Sequence, residues 1–437
     1  MDGPGARQTM QYPVARLLLT STLCAAPLAL GSVEPWAWPW LALLALATLV
    51  AWGATCLRQG KVQIYWSPLY WVGAMFLAFG FVQFFAGLTQ DRFATRNALI
   101  LLTTDFILLF LAGQLFAGEA SASYRSFGRV VLFYISGLGL FAIFQAMTSR
   151  GLIYWRIKPA FGAVFGPYVN RNDYAGLMEM LIPVAAAYVF TRRAGDSKQP
   201  LYVFGVVIAV ASLLLSGSRG GMVALLAETV ILLIVAFRLK LLARWRYSAL
   251  GAALALAAGI GLSIWMNPAY LTKRIESLAS FPTEPGVTLG QRLVASRDTL
   301  EIFRDHPWLG TGLGTFVVVF PRYQSFATNA VWEHAHDDYA EALAETGWVG
   351  GLFLLVGIVV FLRTAFGRLK ERLDSSAGWI RLGAALGCCG LLVHSVVDFN
   401  LHIPANAAWF AVCLGLATTS YGPGCRSWSS INEAEKE

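Results

Sequence analysis

Twelve runs of largely apolar residues dominate the chain, most of them near the ~20 residues a helix needs to cross a bilayer. They cover residues 17–33, 36–57, 68–88, 97–116, 130–147, 174–190, 201–215, 222–237, 248–265, 348–362, 379–397 and 405–416, the last being the shortest. Several begin or end at Trp or Tyr, where interfacial anchors sit. One connection is far longer than the rest, residues 266–347. Inside it, residues 290–306 have helical apolar spacing through Leu293, Leu300 and Phe303, ending before Pro307 and a stretch with Gly310, Gly312 and Gly314. Residues 333–346 read as a second loop helix, with Gly347 as its stop.

Lysine and arginine in the short loops orient the spans. With the N-terminus inside, the inside loops carry Arg58 and Lys61, then Arg125 and Arg129, then Arg192, Arg193 and Lys198. Arg238, Lys240, Arg244 and Arg246 follow, and finally Arg363, Arg368, Lys370 and Arg372. The first outside loop, around Glu34, has no basic residue. The chain therefore reads as an all-α polytopic membrane protein of about twelve transmembrane helices with both termini cytoplasmic. Its expected domains are spans 1–9 over 1–265, a periplasmic loop subdomain over 266–347, spans 10–12 over 348–421, and a cytoplasmic tail over 422–437.

Composition agrees: 57% of the 437 residues are hydrophobic and only 13% are charged, about half the charged share of a soluble protein. The net charge of +8 suggests nucleic acid only until the basic residues are placed on the loops. The six cysteines, Cys24, Cys56, Cys388, Cys389, Cys413 and Cys425, lie in or beside apolar runs and show neither a disulfide framework nor metal-ligand spacing. Basic residues nevertheless remain on the outside face: Arg92, Arg96, Arg150, Arg156, Lys158, Arg171, Arg219 and Arg292. Positive charge kept where topology disfavours it points to an anionic ligand, against the plainer reading of solvated loops and structural ion pairs.

All five histidines, His306, His334, His336, His394 and His402, fall on or near that same face. His334-Ala-His336-Asp337-Asp338 opens the second loop helix, and His336 is the candidate general base. The alternating histidines with Asp337 and Asp338 also suggest a metal. Residues two apart on a helix face different ways, however, and no third ligand lies at useful spacing, so no metal is expected. The turn Ser216-Gly217-Ser218-Arg219-Gly220-Gly221 suits a phosphate through backbone N–H groups and a guanidinium fork, and Arg292 offers a second guanidinium. Asn170-Arg171-Asn172-Asp173 begins a span with dense polar side chains, and Asp398 to Pro404 lies just beyond the eleventh. Asp105, Glu179 and Glu228 lie within spans, where a carboxylate is either functional or paired.

Together these residues resemble the O-antigen ligase family, which shares its membrane fold with O-antigen polymerases and protein O-oligosaccharyltransferases. The likeness is specific at Asn170 to Asn172, at Ser218-Arg219-Gly220, at Arg292, and at His336 with Gly347 eleven residues later. Asp337 departs from the family's usual Asn or similar polar residue. The resemblance implies a GT-C-like fold in the bacterial inner membrane with its active site facing the periplasm. It implies an inverting, metal-independent glycosyltransferase without a cofactor. The donor would be O-antigen on undecaprenyl diphosphate and the acceptor lipid A core. The roles so implied are His336 as catalytic residue, Arg219 and Arg292 on the diphosphate, and His334, Asp337, Arg171, Asn172 and Asp398 in support. The shared motifs do not separate ligase from polymerase. A twelve-span transporter or flippase is the reading from another class. It would show repeat symmetry and broken helices at mid-membrane; the polar residues cluster instead at one face.

Overall fold

The computed structural model describes residues 12–116, 121–159, 162–192, 196–240, 289–328, 331–367, 369, 373–419 and 426–429. Within them the chain is mostly helical. Eight helices are long and apolar enough to cross a membrane, and three shorter apolar helices join them. These eleven and the loop helix Leu289–Asp305 are numbered in chain order: α1 (Pro13–Leu28), α2 (Trp38–Arg58), α3 (Leu69–Phe85), α4 (Arg92–Phe116), α5 (Ser121–Thr148) and α6 (Arg171–Phe190). After them come α7 (Gln199–Ser216), α8 (Arg219–Arg238), α9 (Leu289–Asp305), α10 (Asp338–Phe366), α11 (Ser376–His394) and α12 (Pro404–Thr418). Each expected span except 248–265 meets one of these helices; that run lies outside the described residues, as does most of the expected cytoplasmic tail. Lys61–Ile64 pairs antiparallel with Arg426–Ser429, a two-stranded ribbon that periodicity did not anticipate.

Two devices position the polar face. The first is close approach of α6 and α11. A Cβ on Gly383 would lie 2.5 Å from the Pro183 carbonyl oxygen, and one on Gly387 would lie 2.0 Å from that of Met180. Small residues let apolar helices pack at this range, where dispersion and not the hydrophobic effect drives association. Contact at this distance brings Glu179 of α6 opposite His394 of α11.

The second device corrects the expected helix of residues 333–346. The helix starts at Asp338, with Asp337 as N-cap accepting from the Tyr339 and Ala340 N–H groups at 3.1 Å, so His334 and His336 precede it. Gly347 does not end it either: α10 breaks there and continues as a long apolar helix. Gly347 has φ 62° and ψ −162°, a region essentially reserved for glycine. The break frees carbonyls that the glycine-rich segment fills: Thr311 N–H donates to Ala344 O at 3.1 Å and Gly312 N–H to Glu345 O at 2.9 Å. The buried Glu345 carboxylate accepts from the Gly314 and Phe316 N–H groups at 2.8 and 2.9 Å. Gln83 of α3 and Thr95 of α4 reach the same segment through Leu309 O and Leu313 O. The loop is thus clamped to the helices.

A Cβ at Gly347 would lie 2.4 Å from the Trp308 carbonyl carbon. Gly347→Ala therefore meets backbone on one side and a strained conformation worth about 1–3 kcal/mol on the other. We expect a lower melting temperature and a poor yield of monodisperse protein in detergent. A variant as stable as the parent contradicts this account of the break.

Candidate active site

Four of the five histidines converge where the loop before α10 meets the turn between α11 and α12. His306 follows α9 at the end opposite Arg292, about 20 Å away at 1.5 Å per helical residue.

Asp398 is the hub. Its side chain is 1% exposed, accepts from the Phe399 N–H at 3.0 Å and faces three side chains. His336 Nδ1 lies 3.3 Å from Oδ1, Arg292 Nη1 lies 3.5 Å from Oδ2, and His394 Nε2 lies 4.0 Å from Oδ2. Burial opposes ionisation of this carboxyl, yet Arg292 and then His336 hold it well below the usual carboxylate range. Arg292 also donates to Val397 O at 3.2 Å, and its Nε is buried with no hydrogen-bond partner among the described residues. A guanidinium so placed keeps donor capacity for an anion.

His336 stands in the left-handed region at φ 56°, a conformation costing a non-glycine residue about 1–3 kcal/mol and found where function over-determines it. The Trp332 and Phe399 rings pack edge-on against the imidazole at 5.4 and 4.7 Å between centroids. Burial pushes the imidazole below its ordinary value; the Asp398 hydrogen bond pulls the other way and the Arg292 charge adds to the lowering. The ring is therefore neutral near pH 7. With Nδ1–H donated to Asp398, Nε2 carries the lone pair.

Behind this group, Glu179 holds His394. Its two oxygens lie 3.0 and 3.1 Å from His394 Nδ1. The His394 ring in turn packs on the Ser218-Arg219-Gly220 turn, since a Cβ on Gly220 would lie 2.3 Å from it. Gly217 ends α7 with φ 68°, and Ser218 caps α8 by accepting from Gly221 N–H at 3.2 Å. The arginine turn and the Asp398 hub are thus joined through one buried imidazole. Glu179 is paired, as one reading of intramembrane carboxylates expects. Neither oxygen of Glu228 finds a hydrogen-bond partner among the described residues.

Other candidates take supporting places. Asn170 caps α6, accepting from Asn172 N–H at 3.0 Å and donating to Asp173 at 2.9 Å. Arg171 is half-buried, and its N–H donates to Ala163 O at 2.8 Å. Asn172 is buried. Asn406, which sequence reasoning missed, ties this helix start to the hub turn through Asp173 O at 2.8 Å and Asn400 at 3.0 Å. Asp337 accepts from the Ser296 hydroxyl at 2.8 Å, fixing α9 to the start of α10. Arg92 and Arg96 lie over the Phe84 and Phe93 rings at 5.0 and 4.7 Å.

The Phe399 ring touches both His334 and His336, stacked on the first and edge-on to the second, each at 4.7 Å between centroids. The third ligand that spacing could not supply exists in space: His334, Glu341 and His402 place one ligand atom each within 4.8 Å of one another. Burial would lower His402, but the Glu341 carboxylate and the Asp338 hydrogen bond outweigh it and hold its pKa up at about 10. Glu341 and His402 were invisible as a pair because they lie 61 residues apart on separate elements.

Residues 204–355 match the model of a protein family described as O-antigen ligase. Arg219, Arg292, His334 and His336 fall within the match; Glu179, His394, Asp398 and His402 fall outside it. No curated protein matches the chain.

Proposed function

We propose a specific reaction for this chain, whose residues 204–355 match the O-antigen ligase family model. It is an inverting glycosyltransferase of the bacterial inner membrane, with about twelve spans, both ends cytoplasmic and the 266–347 loop in the periplasm. It moves O-antigen polysaccharide from undecaprenyl diphosphate to lipid A core. The observation that carries this reading is one buried carboxylate, Asp398, shared by a neutral imidazole and a guanidinium with an unfilled donor.

Each part has a step. The acceptor hydroxyl gives its proton to His336 Nε2 as its oxygen attacks the anomeric carbon. The bond from that carbon to the diphosphate oxygen breaks, and the electron pair leaves with the diphosphate. Arg292 and Arg219 meet the charge that develops there, preorganised and without reorganisation at the moment of reaction. Both substrates are membrane-anchored, so placement in one leaflet supplies much of the rate. Arg92, Arg96, Arg150, Arg156 and Lys158 would hold the phosphorylated core, leaving Arg219 and Arg292 for the donor. The second reading, favoured by the same motifs, is an O-antigen polymerase or protein O-oligosaccharyltransferase, in which another hydroxyl takes the acceptor's place.

A gene deletion separates the first two. A ligase deletion strands long polymer on its lipid carrier and leaves lipid A core unmodified. Single repeat units, some attached to lipid A core, identify a polymerase instead. The phosphate clamp has its own check: Arg219→Lys and Arg292→Lys each keep charge but lose the planar fork. A charge-assisted hydrogen bond is worth about 1.5–3 kcal/mol, so each variant should lose about ten- to a hundredfold in turnover. Wild-type turnover in both lysine variants removes the bidentate clamp.

A further inference from the structure

His334, Glu341 and His402 come from three places: the loop before α10, its first turn, and the single turn Asn400–His402 ahead of α12. Their ligand atoms converge. His334 Nδ1 lies 2.9 Å and His402 Nε2 lies 3.3 Å from the same Glu341 oxygen, Oε1. Two of the three are held from behind. His402 Nδ1 is 2.8 Å from Asp338 Oδ1, which turns Nε2 towards the centre, and the Ala335 N–H binds the other Glu341 oxygen at 2.7 Å. This carboxylate behind an imidazole is how metal-bound histidines are oriented. Glu341 is buried, whereas the two imidazoles are 25% and 28% exposed, so an ion has a route in.

We propose that His334, Glu341 and His402 bind one divalent transition-metal ion of the zinc class, separate from the catalytic base. Two imidazole nitrogens and one carboxylate oxygen suit zinc, whereas calcium and magnesium prefer all-oxygen sets. Three protein ligands leave a fourth position for water. His336 is not one of the three ligands, and the Phe399 ring packs against both His334 and His336, so we give the ion no part in the group transfer. Its work is positional: it pins His334, two residues before His336, and with it the backbone that holds His336 at φ 56°.

The test reads metal binding and so stands apart from the transferase reading. Full-length protein carrying a histidine-free tag is purified in detergent, stripped with chelator and titrated with Zn2+ and with Co2+. Bound metal per chain and the Co2+ ligand-field bands are followed. We expect about one equivalent in the wild type and in His336→Ala, and loss of the bands in Glu341→Gln and His402→Ala. Asp338→Asn, which only orients a ligand, should weaken Zn2+ about ten- to a hundredfold. Wild type that retains no more metal than Glu341→Gln or His402→Ala overturns the site, as does equal loss in His336→Ala.

Discussion

Replacing His336 with alanine lowers the rate of glycan transfer by about a hundredfold to ten-thousandfold, the usual contribution of a positioned general base. The size of the effect follows from the setting. The imidazole is buried enough to stay neutral, its Nδ1 is committed to Asp398 at 3.3 Å, and its free nitrogen is the lone pair left for an acceptor hydroxyl. Alanine removes that lone pair without touching the devices that build the loop. The Gly347 break, the Glu345 contacts to Gly314 and Phe316, and the Asp337 cap all lie elsewhere. The variant should therefore insert, stay monodisperse and still bind the lipid-linked donor through its arginines. The measurement is turnover by purified protein with donor and acceptor lipids, alongside donor binding. Near-normal turnover takes His336 out of the mechanism.

The spans were legible because each is a local property: a run of apolar residues ended by Trp, Tyr or charge needs no partner to be seen. The loop helix α9 was legible for the same reason: it was expected over 290–306, ending ahead of Pro307, and runs Leu289–Asp305. His336, Arg219 and Arg292 were legible by residue type and motif. What could not be read was convergence. Asp398 was legible only as a supporting residue beyond the eleventh span, and nothing in its neighbourhood shows that Arg292 and His336 fold onto its two oxygens from 106 and 62 residues away. His394 lay inside an apolar run, and its link to Glu179 rests on the packing at Gly383 and Gly387, which looks like ordinary small-residue composition. The start of α10 was misplaced because His334 and His336 have no strong objection to a helix. Only Asp337, with its side chain over the Tyr339 and Ala340 N–H groups, marks the true boundary.

Asp398→Ala should cost transfer through two separable routes, and a double-mutant cycle tells them apart. Through His336, the carboxylate fixes the ring and its tautomer; losing it leaves Nε2 protonated part of the time and badly aimed, which lowers kcat. Through Arg292, it orients a guanidinium whose removal from an ion pair leaves a buried charge uncompensated, which raises KM for the donor. Each charge-assisted contact is worth about 1.5–3 kcal/mol, so the single variant should lose about a hundredfold or more in kcat/KM. Asp398→Asn keeps the shape and one acceptor oxygen but not the charge, and should fall between it and the wild type. In a His336→Ala background the first route no longer exists. There Asp398→Ala should cost only the Arg292 share, about ten- to a hundredfold, and it should appear in KM for the donor. Residues that act as a unit are non-additive in this way. If Asp398→Ala costs the same in both backgrounds, the carboxylate does not orient His336. If it costs nothing once His336 is gone, Arg292 does not depend on it, and the shared hub dissolves into a simple histidine–aspartate pair.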